Sequence, residues 1–111
     1  MIQISKRNRD FLLAARCKRL LQEYYGRKLK GLVLYGSVAR GSATKESDID
    51  LLVLLDKKFQ YGKELDIVVD LLHPLQLEST KLISAKPTLW KDFIEGECLL
   101  YRNAKEEGIE L

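Results

Sequence analysis

Four residues have the types and the spacing for chemistry: Gly36 and Ser37, then, after ten intervening residues, Asp48 and Asp50 in the order Asp-Ile-Asp. Asp50 runs straight into "LLVLL", an apolar stretch that must be buried. In an extended chain, residues two apart point to the same side, so both carboxylates face one way while Ile49 turns to the core. Two carboxylates held that close repel, and each raises the other's pKa unless a cation lies between them. A hard divalent cation removes the conflict, and Mg²⁺ is commonly held by one or two carboxylates together with substrate phosphates. Gly36, without a side chain, lets the backbone approach a phosphate closely. Ser37 adds a hydroxyl and an N–H where a helix should start, a place suited to an anion. A phosphate seat facing a cation clamp is the equipment of nucleotidyl transfer.

Holding these groups in place takes a strand on either side. Leu32 to Tyr35 is an apolar run long enough only for a buried strand, punctuated by Gly36. Ile49 to Leu55 forms the second, ended by Asp56-Lys57-Lys58. Ahead of both, Ser5 to Tyr25 reads as an amphipathic helix. Its stripe is Leu13, Cys17, Leu20 and Tyr24, widened by Leu12, Leu21 and Tyr25. Ser5 suits an N-cap, and Gly26 before Arg27 and Lys28 is a stop. The segment "YGKELDIVVDLLHPLQLEST" allows two readings. Ile67-Val68-Val69 has the β-branched content of a strand, whereas Leu65, Val68, Val69, Leu72 and Leu75 fall on one helical face. Helix is preferred, because "KLISAKPTLW" supplies a separate strand at Leu82 to Lys86 and a helical crossover joins parallel strands. Pro74 should break or kink that helix beyond His73. A last helix is expected from about Glu97 to Glu107, with Gly108 as terminator and "IEL" as a short extended end.

The chain has 111 residues, enough for one domain, 1–111, and too few for two. With 46% hydrophobic and 32% charged residues it has the balance of a soluble globular protein. No apolar run approaches the roughly 18 residues of a membrane span, and no signal-peptide pattern follows Met1. Cys17 and Cys98 lack metal-ligand spacing, which suits two small apolar side chains in a reducing, cytoplasmic setting. Charge is unevenly spread. Residues 1–30 carry nine Lys/Arg against two acids, and the remainder ten against fourteen. The basic residues are distributed round the first helix, which reads as a solvated face; the sharper alternative is contact with nucleic acid or an acidic partner.

Taken together, "GSVARGSATKESDIDLLV" resembles the Gly-Ser-x10-Asp-x-Asp signature of the DNA polymerase β-like nucleotidyltransferase superfamily, and its minimal (MNT-type) members in particular. Ala39-Arg40-Gly41 and Ser47-Asp48-Ile49-Asp50-Leu51 are also typical of them, and the expected element order matches over essentially the whole chain. The resemblance implies an α/β (α+β) fold, a small mixed β-sheet with flanking helices. It implies ATP or another NTP as substrate and Mg²⁺ in a two-metal site. By that resemblance Asp48 and Asp50 hold metal and are catalytic, and Gly36 and Ser37 seat the phosphates. Arg40 either adds charge to the triphosphate or pairs with a surface acid, and Lys45 either reaches a phosphate or is solvated. The acceptor is expected to be a hydroxyl on a partner of HEPN type, with the chain acting as antitoxin in a hetero-complex or oligomer.

A full site in that superfamily carries a third carboxylate on the next strand. If that strand is "LISAKPT", Ser84 stands at the expected place and no acid is there. If "DIVVDLL" were the strand, Asp70 would serve. The helical reading therefore predicts a weakened or partner-completed site, and with it the alternative of a nucleotide-binding module that works by complex formation. His73 is expected to be packed or capping, and Tyr24, Tyr25, Tyr35, Trp90 and Phe93 to be core or interface residues.

Overall fold

The computed structural model describes residues 6–111. Helix α1 (Lys6–Tyr25) is followed by a 3-10 turn at Gly26–Lys28, β1 (Leu29–Tyr35), the short α2 (Gly36–Arg40) and β2 (Ile49–Leu55). Then come α3 (Tyr61–Glu78), β3 (Ile83–Leu89), α4 (Trp90–Glu95), α5 (Leu99–Glu107) and β4 (Ile109–Glu110). The expected N-cap Ser5 lies outside the described residues.

The four strands form one mixed sheet in the order β3-β2-β1-β4. β1 runs antiparallel to β2 and to β4, while β2 and β3 are parallel and joined through α3. That crossover is what a helical 61–78 segment demands, because parallel neighbours need a long connection. One face of the sheet is covered by α1 and α3. Its core is Leu32, Leu34, Ile49, Leu51 and Val53 from the strands, against Cys17, Leu21, Val68 and Leu72 from the helices. On the other face Val33, Tyr35, Leu52 and Leu54 pack with Phe93 and Ala104 of α4 and α5.

Several elements depart from the sequence reading. β1 begins at Leu29, three residues before the apolar run, because Leu29 still pairs with Leu55 of β2. Pairing, not hydrophobicity, sets that boundary. β3 begins one residue later than expected and reaches Leu89 through Pro87, which an edge strand tolerates because its outer side needs no donor. The stripe of α1 is rotated from the one expected: Ala14, Cys17, Leu21 and Tyr25 are buried, whereas Leu12 and Tyr24 are exposed. The small Ala14 belongs to the buried row, and counting only large side chains hides it.

Pro74 does not end α3, which continues to Glu78. Pro74 and Asp70, whose carbonyl loses its N–H partner, both lie on the exposed side, where water can satisfy that carbonyl. Val68, Leu72 and Leu75 meanwhile hold the helix to the sheet. His73 is neither packed nor capping; it is exposed on the same outer side. Of the aromatics, Tyr25, Tyr35 and Phe93 are core, whereas Tyr24 and Trp90 are exposed. Trp90 opens α4, a helix not expected from the sequence, and its ring lies 5.1 Å from the Lys30 ammonium. The last helix starts at Leu99, two residues later than expected, and ends at Glu107 before Gly108 as expected, and "IE" of the tail adds β4 to the sheet. None of the helices among the described residues is long and apolar enough to cross a membrane.

Candidate active site

The site forms where β1 ends and β2 begins. Antiparallel pairing sets Tyr35 opposite Asp50, so the chain leaving β1 through Gly36 and Ser37 passes beside the second carboxylate. Gly36 has φ +75°, a left-handed conformation that side chains disfavour. A Cβ placed there would lie 2.5 Å from Oδ2 of Asp50, nearer than atoms can approach. Glycine is thus required twice over, by backbone angle and by the carboxylate against it. Val38 and Ala39 bury the inner side of α2, and Gly41, at φ +78°, closes it with its N–H on the Ser37 carbonyl.

The loop that follows is braced across four residues. The Thr44 N–H donates to Ser47 Oγ at 2.8 Å, and the Ser47 N–H returns to the Thr44 carbonyl at 3.2 Å. Ile49 then enters the sheet, fully buried, with its N–H on the Leu82 carbonyl at 2.9 Å. This anchoring leaves Asp48 exposed at the strand mouth and Asp50 half-buried beside it. Burial is the main influence raising the Asp50 pKa, and the Asp48 charge raises it further, while Lys86 and Arg40 oppose both. Asp50 therefore feels the Asp48 charge, and neither carboxylate belongs to an ion pair among the described residues.

Arg40 is close enough to act on Asp50, yet its guanidinium sits 3.6 Å from Glu107 of α5, both half-exposed. Of the two roles expected of it, the pairing with a surface acid is the one formed here. Lys45 is exposed and lines a groove of about 640 Å³ with Arg9, Leu12, Arg16 and Lys81. Asp70 lies exposed on α3, not on a strand. Ser84 of β3 stands in register with Asp50 from the other side. Among the described residues, the one group of three acids close enough to share an ion is Asp92, Glu95 and Glu97, at the end of α4, and it includes neither Asp48 nor Asp50.

A residue that sequence reasoning missed completes this face. Lys86, two beyond Ser84 and so on the same side of β3, has its ammonium 5.9 Å from the centre of the Tyr35 ring. The Tyr35 hydroxyl is chiefly what raises the Lys86 pKa, although it is buried without a well-formed hydrogen bond. The alternation of β3 was the available signal: once Ser84 faces Asp50, Lys86 must follow it.

The donor set fits one hard divalent cation. Two neighbouring carboxylates in no ion pair among the described residues, with Asp50 set against a glycine that leaves it room, are what such an ion requires. A second ion would need a further acid where Ser84 stands, and the described residues offer none.

A mixed sheet whose antiparallel turn places Gly-Ser against an Asp-x-Asp strand defines a nucleotidyltransferase-type scaffold. The family described as "Polymerase beta, Nucleotidyltransferase" matches residues 15–106. The chain is 35% identical over 96 residues, 79% of its length and 83% of the relative's, to a Methanocaldococcus jannaschii protein named "Putative protein adenylyltransferase MJ0604". A second protein of that organism, "Putative protein adenylyltransferase MJ1379", is 48% identical over 40 residues, 36% of this chain and 38% of its own. The chain belongs to the polymerase β nucleotidyltransferase family, and its fold is that family's.

Proposed function

We propose that the chain transfers a nucleoside monophosphate, AMP in the first instance, from a nucleoside triphosphate to a hydroxyl on a protein partner. The observation that carries this reading is the register of Tyr35 with Asp50, which sets Gly36 and Ser37 beside the carboxylate pair. Gly36 and Ser37 would seat the β- and γ-phosphates, with Arg40 adding charge from the α2 end. Asp48 and Asp50 would hold Mg²⁺, which supplies charge stabilisation at the attacking and leaving oxygens. The acceptor hydroxyl oxygen bonds to the α-phosphorus and gives up its proton to water, the bond from that phosphorus to the bridging oxygen breaks, and pyrophosphate leaves. The names of the two archaeal relatives favour a protein as acceptor. The minimal-family resemblance extends the reading to a HEPN-type partner and an antitoxin role.

Transfer of label from α-labelled ATP to a partner tests the reading. Asp48→Asn and Asp50→Asn are each expected to lower it by about a thousandfold, as loss of electrostatic stabilisation does elsewhere. Undiminished transfer in either variant refutes it. A second reading, nucleotide binding in the service of complex formation without turnover, is favoured by Ser84 standing where a third acid is expected. It requires ATP to bind the parent chain with no label transferred to any co-purified partner.

A further inference from the structure

The face that carries Asp50 holds a fixed cation. β3 runs parallel to β2 with Ser84 beside Asp50 and Lys86 beside Leu52, so Ser84, Lys86 and Asp50 share one side of the sheet. The Lys86 ammonium is near enough to Asp50 for each to act on the other's charge. It lies 5.9 Å from the centre of the Tyr35 ring, and Tyr35 is itself the cross-strand neighbour of Asp50. Tyr35 and Ser84 thus flank Asp50 from the two neighbouring strands with Lys86 close by, while Asp48 is exposed at the strand mouth. A positive charge there does what a second metal ion would do for two crowded carboxylates. It also repels any such ion.

We propose that Lys86 is a positioning residue that takes the place of the second metal, so that the chain works with a single divalent cation at Asp48 and Asp50. Ser84 agrees with this assignment. Where no second ion is to be bound, a third carboxylate would only add repulsion, and a neutral hydroxyl beside Asp50 avoids it. The inference rests on the reading of Asp48 and Asp50 as the ion-binding pair and extends it.

Titration of the nucleotide-free chain with Mn²⁺ alone, followed by electron paramagnetic resonance, tests it. The parent chain is expected to bind one ion at the pair. Lys86→Met should bind that ion about tenfold more tightly, because one opposing unit charge is gone. Lys86→Arg keeps the charge and should behave as the parent does, which a merely structural role for the lysine would not require. Ser84→Asp combined with Lys86→Met should gain a second ion. Should that double variant fail to fold, the two single variants still decide the matter. Two ions on the parent chain, or an affinity unchanged in Lys86→Met, overturns the inference and leaves the carboxylate pair standing. Mn²⁺ held equally well by Asp48→Asn and Asp50→Asn removes the pair itself, and the inference with it.

Discussion

At the scale of single residues, the site depends most on a side chain that is missing. Gly36 adopts φ +75° and leaves room for Oδ2 of Asp50, which would lie 2.5 Å from any Cβ at that position. Gly36→Ala is therefore expected to act twice. The left-handed backbone costs about 1–2 kcal/mol for a residue with a Cβ, readable as a lower urea midpoint. The displaced Asp50 carboxylate should lower nucleotidyl transfer by about a hundredfold, the usual price of an ångström-scale misplacement. A Gly36→Ala chain with parental transfer would show that Asp50 does not need its present position.

Elements carry the next two predictions. In α3, Pro74 forgoes one backbone hydrogen bond on the exposed side of a helix held by Val68, Leu72 and Leu75. Pro74→Ala restores the donor and should raise stability by about 1–3 kcal/mol in urea unfolding, since proline is among the poorest interior helix residues. No gain would mean that the helix bends round the proline in a way alanine cannot relax. In α1, Cys17 is fully buried against the sheet, and burial pushes its thiol from the ordinary 9.0 up to about 11. The folded chain keeps that proton after the unfolded chain has lost it. Stability should therefore fall as pH rises from 9 towards 11, by up to about 2–3 kcal/mol. Comparing urea midpoints of the parent and Cys17→Ala at pH 8 and 10.5 isolates this term, and equal slopes would refute it.

For the molecule as a whole, a nearly buried ion pair ties together parts far apart in sequence. Lys81, between α3 and β3, donates to Asp10 of α1 at 2.8 Å, and both side chains are nearly buried. The pair closes α1 onto the crossover that carries β3, and so bears on where Ser84 and Lys86 sit. Asp10→Ala leaves the Lys81 ammonium buried without its partner and should cost about 3 kcal/mol. The pairing of Asp10→Leu with Lys81→Met should recover most of that loss, because no charge is then stranded. If Asp10→Ala unfolds at the parental urea concentration, the ammonium has escaped to water and the tie is dispensable.

Much of this was legible from the residues. β2 spans Ile49–Leu55 as read, because all its residues but Asp50 are apolar and Asp56-Lys57-Lys58 end it. The segment from Tyr61 is helical as preferred, although it runs on through Pro74, and α5 stops before Gly108 as read. The Asp-x-Asp spacing already brought both acids to the mouth of β2, Asp50 within the strand and Asp48 just ahead of it. Sequence could not supply what depends on partners remote along the chain. The rotation of α1 follows from which side meets the sheet, not from which residues are large. α4 was missed because its six residues are too few for a helical period to declare itself. Above all, the register that sets Tyr35 and Gly36 on one side of Asp50, and Ser84 with Lys86 on the other, comes from strand pairing across long separations. A one-residue slip there would turn every side chain to the opposite face. The types of the candidate groups were thus written in the chain, while their neighbours were decided only by the packed sheet.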